Sequence, residues 1–428
     1  MSPRWRPTNA LVGAIAIGGP LMVLAVIFRH ADLLLLAVPL VLGTLVGLTR
    51  RPLGAVRGDV EVSASSMLED ERTLAHVWVQ GIDALDVVSV QLQVGRYQVY
   101  RYGRPHRATG LTPGERRELE FDLRSVRWGR HTVGPARIHV TAAHGLLQCG
   151  PLQTGTASIT TLPLQQVFDA VDAVPRAEGI VGPHRSRRPG DGTDIAGVRE
   201  FVVGDRLHRI NWPVSLRLGG LHVTSTLSDR DTNVFLVLDT HFDLGRSEGI
   251  DGASSSLDLT VRSAASIAEY YLRHGDRVGL IDMGQAIRQV RPGSGRAHLI
   301  RLLDVLLDAA PSTTSGISTT MALGQVSSGS LVVMLSPLVG ENAINRTATL
   351  ARAGHSVVVI DTLPEDAAPP RRSEWTALAW RLWLLERAGE IGRLSELGVP
   401  VVRWRGAGSL DEVLHDVSRA ASAPRALR

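Results

Sequence analysis

Ala10 to Phe28 is an apolar stretch without a charged side chain, and a second apolar run, Leu33 to Leu48, follows it almost at once. Only Arg29-His30-Ala31-Asp32 lies between them. Crossing about 30 Å of hydrocarbon takes about 20 apolar residues in a helix. The first run meets that length, and the second reaches it as 31–48 when its flank is included. In lipid every backbone polar group must be bonded within its own segment, so two such runs joined by so short a turn fold as a helical hairpin. Pro20 can kink the first helix without breaking it. A cleaved signal peptide would explain the first run but not the second directly behind it. Arg4 and Arg6 precede the hairpin, and Arg50, Arg51 and Arg57 follow it. The positive-inside rule then places both outer flanks in the cytoplasm. The expectation is a two-span anchor over residues 1–52, with spans 10–28 and 31–48, in the cell membrane, with both ends and the soluble domains cytoplasmic.

At 428 residues the chain has room for the hairpin and two soluble domains. All 46 Lys+Arg residues are Arg. A Walker A loop and Schiff-base chemistry both need Lys, so P-loop and kinase readings are disfavoured. Any ATP-driven step would need its ATPase on another chain. The net charge is only +4, and Arg is spread along the chain, so no nucleic-acid partner is expected. The single Cys149 cannot form an internal disulfide, which fits a reducing compartment.

From 58 to 165 the texture is all-β. Alternating runs recur at Leu74–Val79, Val87–Val94, Glu118–Leu123 and Ala136–Thr141, with Gly, Pro and Asp near the breaks. Short strands of this kind point to an Ig-like β-sandwich. His131, His139 and His144 match no standard zinc spacing and read as strand and loop histidines.

Residues 166–232 read as a linker carrying a dense motif. Gly192, Asp194, Val198, Arg199, Glu200, Phe201, Gly204, Asp205, Arg209, Ile210, Trp212, Ser215 and Arg217 fall in a fixed order. That order resembles the signature of the domain-of-unknown-function 58 family, whose members carry a von Willebrand factor A-like domain. Leu216 departs from the usual small residue. Three readings of Arg199, Glu200, Asp205, Arg209, Trp212 and Arg217 stand side by side. A catalytic one makes Glu200 or Asp205 a base and Arg209 an anion clamp. A structural one pairs the charges and anchors the segment by burying Trp212. A docking one takes Trp and Arg as interface anchors.

Over 233–424 the texture becomes α/β. Continuous apolar strands near 234–238, 278–283, 331–335, 357–361 and 399–404 alternate with helices near 257–272, 296–309, 343–353, 375–397 and 410–419, and a short strand at 287–290 pairs beside the second. This argues for a mostly parallel sheet covered on both faces, the von Willebrand A-like architecture the resemblance implies. Ligands of such sheets sit at the carboxyl ends of the strands. There the von Willebrand A fold often holds a divalent metal on Asp-x-Ser-x-Ser, with help from a later Thr and Asp. Here the first strand ends Asp239-Thr-His241-Phe-Asp243, the later loop reads Leu335-Ser336-Pro337, and the Thr loop corresponds to 316–320. With both serines replaced, the standard site is not expected, and Asp239 reads as a loop cap. A non-standard site on Asp239, His241 and Asp243 would prefer Zn²⁺ or Mn²⁺.

No catalytic constellation stands out, and no cofactor is expected. The family resemblance implies a membrane-anchored cytoplasmic scaffold or adaptor, working with a separate MoxR-type AAA+ ATPase in the assembly or maturation of other complexes. The alternatives are a metal-dependent hydrolase or a metal-dependent adhesion protein at Asp239, His241 and Asp243.

Overall fold

A computed structural model describes residues 4–52, 54, 56–101, 105–165, 189–202, 210–227, 233–284, 288–311, 326–327, 330–369 and 375–406. Two compact units emerge: Met1–Pro163 with Glu248–Asp251, and Leu164–Ser247 with Gly252–Arg428.

The first unit opens with a two-residue strand, β1 (Arg6–Pro7), and two helices, α1 (Asn9–Phe28) and α2 (Ala31–Thr49). Both helices are long and apolar enough to cross a membrane by length and composition. Thr8 starts α1 by accepting from Leu11 N–H, and Arg29 closes it in the left-handed conformation, φ 50°. Small residues let the two helices approach: a Cβ on Gly18 would lie 2.9 Å from Leu40 Cβ.

A sandwich of short strands follows: β2 (Val56–Val62), β3 (Ser66–Leu68), β4 (Arg72–Gly81), β5 (Leu85–Val94), β6 (Gln98–Tyr100), β7 (His106–Leu111), β8 (Arg116–Ser125), β9 (Gly129–Ala142), β10 (Leu147–Gln153) and β11 (Ala157–Leu162). One sheet runs β2-β4-β8-β6; the other runs β1-β10-β9-β11-β3, with β5 pairing both β7 and β9. Period-2 alternation sends Ala75, Val77 and Val79 of β4 and Phe121 and Leu123 of β8 inward, against Val88, Val90, Ile138 and Val140 of the other sheet. Cys149 is buried in the same core, and burial pushes its thiol pKa up, which disfavours the thiolate.

The hairpin is tied to the sandwich at its base. β1 pairs with β10, the Thr8 hydroxyl donates to Gly145 and Leu146 carbonyls at 2.9 and 3.0 Å, and Trp5 and Leu11 join the core.

The second unit begins with a two-stranded antiparallel hairpin, β12 (Pro189–Glu200) and β13 (His222–Leu227), bracketing a short helix, α3 (Trp212–Leu218). Asn211 caps α3 by accepting from Val214 N–H, and Gly219 ends it at φ 71°. Next come β14 (Asn233–Leu238), α4 (Ser256–Arg273), β15 (Arg277–Asp282), β16 (Arg288–Gly293), α5 (Arg296–Leu307), β17 (Leu331–Ser336), α6 (Glu341–Arg352), β18 (Ser356–Asp361), α7 (Thr376–Glu396) and β19 (Val401–Arg403). The sheet order is β16-β15-β14-β17-β18-β19, parallel throughout except for the antiparallel edge strand β16. That is a doubly wound order, reversing direction at β14. β14 and β17 are buried on both faces, so they read as unbroken apolar runs rather than as alternation. A capping box between Ser255 and Asp258 starts α4. The helix expected near 410–419 lies outside the described residues.

Candidate functional site

The reversal of strand order at β14 puts several acids and hydroxyls at the carboxyl ends of neighbouring strands. Asp239 follows β14, Asp282 ends β15, Ser336 ends β17 and Asp361 ends β18. All four are buried, at 5% exposure or less. Burial of a carboxylate is costly unless it is paired or hydrogen-bonded, and each has a partner. Ser336 donates to Asp239 Oδ2 at 2.6 Å, and its oxygen accepts from Leu338 N–H at 2.9 Å. Thr240 donates to Asp282 Oδ1 at 2.6 Å, and Gly284 N–H adds a bond at 3.1 Å. Asp361 accepts from the buried Arg387 of α7 and from Leu363 N–H. Asp282 still carries a net desolvation effect: burial is the largest influence and raises its pKa, against the bonds from Thr240 and Gly284.

The structure brings Asp239 and His241 together, and Asp243 caps the start of α4. His241 N–H donates to Asp239 Oδ1 at 3.4 Å, the loop-capping role expected of Asp239, and the imidazole Nδ1 lies 3.6 Å from the same oxygen. Asp243 accepts from Leu257 N–H at 3.1 Å, at the start of α4. Negative charge there complements the helix dipole. Residues 316–320, expected to supply a Thr, lie outside the described residues. This end of the sheet is thus a network of internally satisfied groups that tie strand ends to helices.

The signature gives a different surface. Arg199 and Glu200 close β12 and are exposed; Asp205 and Arg209 lie outside the described residues. Arg199 Nη1 donates to the carbonyl of Glu200 at 3.1 Å. Trp212 and Arg217 sit on α3. Trp212 is 59% exposed, which corrects the reading that it anchors the segment by burial. The physical reason is the cap: Asn211 and Pro213 set the first turn of α3 so that Ser215, not Trp212, faces the hairpin. The Ser215 hydroxyl accepts from His222 N–H at 2.8 Å and donates to the Asn211 carbonyl at 2.8 Å. On the same short helix Leu216, one turn from Trp212, is 82% exposed and Leu218 is 65% exposed; Val202, just after β12, is 61% exposed. Leu216, the departure from the signature, is thus the most exposed of the group. α3 therefore presents three large apolar side chains, Trp212, Leu216 and Leu218, to solvent.

Residues 197–372 match the family model for the protein of unknown function DUF58. The matched stretch runs from the end of β12 to just before α7, so it takes in both α3 and the carboxyl ends of β14, β15, β17 and β18. The chain also aligns with uncharacterized proteins of Mycobacterium tuberculosis and Mycobacterium bovis, 27% identical over 206 residues in each case. That alignment covers 46% of this chain and 63% of each relative, under two thirds of their length. Among solved structures, the CARDB domain of a Pyrococcus furiosus protein in complex with di-metal ions overlaps 26% of this chain and 96% of its own, at 10% identity and a TM-score of 0.19. A non-cellulosomal cohesin from Archaeoglobus fulgidus overlaps 25% and 91%, at 9% identity and a TM-score of 0.17. Overlap at that level carries no weight for fold or function.

Two features escaped the sequence. Arg387 is an arginine in a mixed helix, with nothing local to say that it is buried. His76, on β4, faces Glu118 and Glu120 across a strand boundary, and only the register of β4 with β8 brings them together.

Proposed function

We propose that the protein is a membrane-anchored scaffold whose signature hairpin docks a partner protein. The observation that carries this reading is the exposed group Trp212, Leu216 and Leu218 on α3, beside Arg217 and presented by a capped helix on a two-stranded hairpin. Trp and Arg are the residue types that dominate interface energetics. The doubly wound sheet is read as von Willebrand A-like, in keeping with its strand order and the Asp that follows its first parallel strand. The partner is proposed to be a MoxR-type AAA+ ATPase. A chain without Lys lacks the phosphate-binding lysine of a P-loop, so ATP hydrolysis would come from a second protein. The two apolar helices are proposed to span the cell membrane with the soluble units in the cytoplasm, following the arginines on the outer flanks.

The test is capture of the tagged full chain from its native membranes, comparing wild type with a Trp212→Ala, Leu216→Ser variant. Both side chains are exposed, so folding should be retained, and hydrogen exchange across β12 and β13 checks that it is. Recovery of an AAA+ ATPase with wild type and its loss with the variant supports the reading. Equal recovery with both removes the docking role from α3.

A further inference from the structure

The four-stranded sheet of the sandwich has an outer face that the core does not use. Ala75, Val77 and Val79 point inward, so the alternate residues His76 and Trp78 of β4 point outward. The same parity on β8 turns Glu118 and Glu120 outward, beside buried Phe121 and Leu123. His76 pairs directly with Glu120, and Trp78 with Glu118, so the imidazole stands between the two carboxylates. On the other side, β2 places Glu61 opposite His76 and Asp59 opposite Trp78.

One ligand atom from each of His76, Glu118 and Glu120 lies within 4.8 Å of the others. Among the described residues no other group of three or more His, Cys, Asp or Glu side chains meets that condition. The two imidazole nitrogens have different surroundings. Nε2 is held by the Ser63 hydroxyl at 2.6 Å. Nδ1 is sealed from solvent and has no aligned hydrogen-bond partner, although a Glu118 carboxylate oxygen lies in contact with it. A histidine bonded through one nitrogen, with the other directed at carboxylates, is the arrangement of a metal ligand with an outer-shell partner that fixes its tautomer.

We propose that His76, Glu118 and Glu120 form a divalent transition-metal site, filled by Zn²⁺. One nitrogen and two carboxylate oxygens suit zinc, and three protein ligands leave the fourth position of a tetrahedron to water. Ca²⁺ and Mg²⁺ favour six or more oxygen ligands, which this set does not supply. The electrostatics agree: a neutral imidazole with two carboxylates is anionic, and Asp59 and Glu61 add negative charge on the same face. Cations share this face: the Arg116 guanidinium is stacked over Trp78 at 4.2 Å from the ring centre, and Arg57 of β2 is exposed on the same side as Asp59 and Glu61. The simpler account of the cluster is a cross-strand His76–Glu118 ion pair, which binds a proton rather than a metal.

The two accounts separate on metal binding by the full chain in detergent, purified without a histidine tag, stripped with chelator and titrated with Zn²⁺ by calorimetry. The expected result is one zinc per chain, retained through gel filtration. His76→Ala should abolish stoichiometric binding, and Glu120→Gln, at an exposed position where folding is not in question, should weaken it at least tenfold. Ser63→Ala, which frees Nε2 without removing a ligand, should weaken it about 10- to 100-fold. An Asp239→Ala, His241→Ala variant should bind as wild type does. Substoichiometric zinc in the wild type overturns the proposal. So does zinc binding that is unchanged in both His76→Ala and Glu120→Gln, or that is lost with Asp239 and His241 instead.

Discussion

Arg387→Met should loosen α7 from the sheet more than any other single change in that helix. Among the described residues of α7 only Arg387 and Leu394 are buried, so the helix has few anchors. The Arg387 guanidinium reaches two elements at once: Nη2 donates to Asp361 at the end of β18, and Nε donates to the Pro337 carbonyl after β17 at 3.0 Å. Both side chains of the ion pair are buried. Methionine keeps much of the side-chain volume, so the main loss is electrostatic. Asp361 would keep one backbone bond, from Leu363 at 3.0 Å, and a distant Arg403 at 3.9 Å. Removing one partner of a buried pair costs about 3–5 kcal/mol, because the remaining charge stays buried and uncompensated. Local opening by that amount speeds amide exchange by about 10²- to 10⁴-fold. Hydrogen exchange with mass spectrometry on the full chain, read over peptides from 376–396, measures it directly. Adding Asp361→Leu should restore most of the protection, since a buried pair replaced on both sides by apolar groups is often neutral. Acceleration below about tenfold in the single variant, equivalent to about 1.4 kcal/mol, would refute the reasoning. So would a double variant no better protected than the single one.

Two further predictions follow from particular side chains. Asp282 has its folded pKa raised above the ordinary 3.8, mainly by burial. The native state therefore holds that proton more tightly than the unfolded state does, and stability is lost as pH rises through the folded pKa. Asp282→Asn keeps an oxygen for Thr240 and Gly284 and removes the charge, so its stability relative to wild type should increase as pH rises above about 4; thermal unfolding at a series of pH values checks it, and a pH-independent difference counts against it. Gly18→Leu should separate the two apolar helices, since even a Cβ would meet Leu40 at 2.9 Å. Paired cysteines placed in a Cys149→Ser background at positions 18±4 and 40±4 should cross-link in the parent and lose cross-linking in the glycine variant.

Much of the architecture was written locally. The helices expected at 10–28 and 31–48 are found at Asn9–Phe28 and Ala31–Thr49, because apolar runs of that length have few other stable forms. Strands β14, β17 and β18 were legible as unbroken apolar runs, and β4, β5 and β8 by alternation. The signature was harder to read. Its pattern of Arg, Glu and Trp fits both a buried clamp and an exposed dock, and whether Trp212 is buried depends on the rotation of α3, set by the Asn211 cap and the Ser215 contact to β13. The carboxyl ends were half legible. Asp239 was recognisable at the end of an apolar strand, whereas its bond to Ser336 joins residues 97 positions apart. The His76 cluster depends on the register between β4 and β8, which period-2 patterning leaves open, since it fixes which face a residue takes but not which residue it meets.

The central claim is that α3 is the contact point for a partner, and site-specific photo-crosslinking tests it most directly. A photoreactive residue at Leu216, 82% exposed, is compared in native membranes with one at Leu397, 44% exposed and beyond the family match. The account predicts a cross-link from position 216 to an AAA+ ATPase, and none from position 397. Absence of a cross-link at 216 with an ATPase captured at 397, or the same products from both positions, would contradict it.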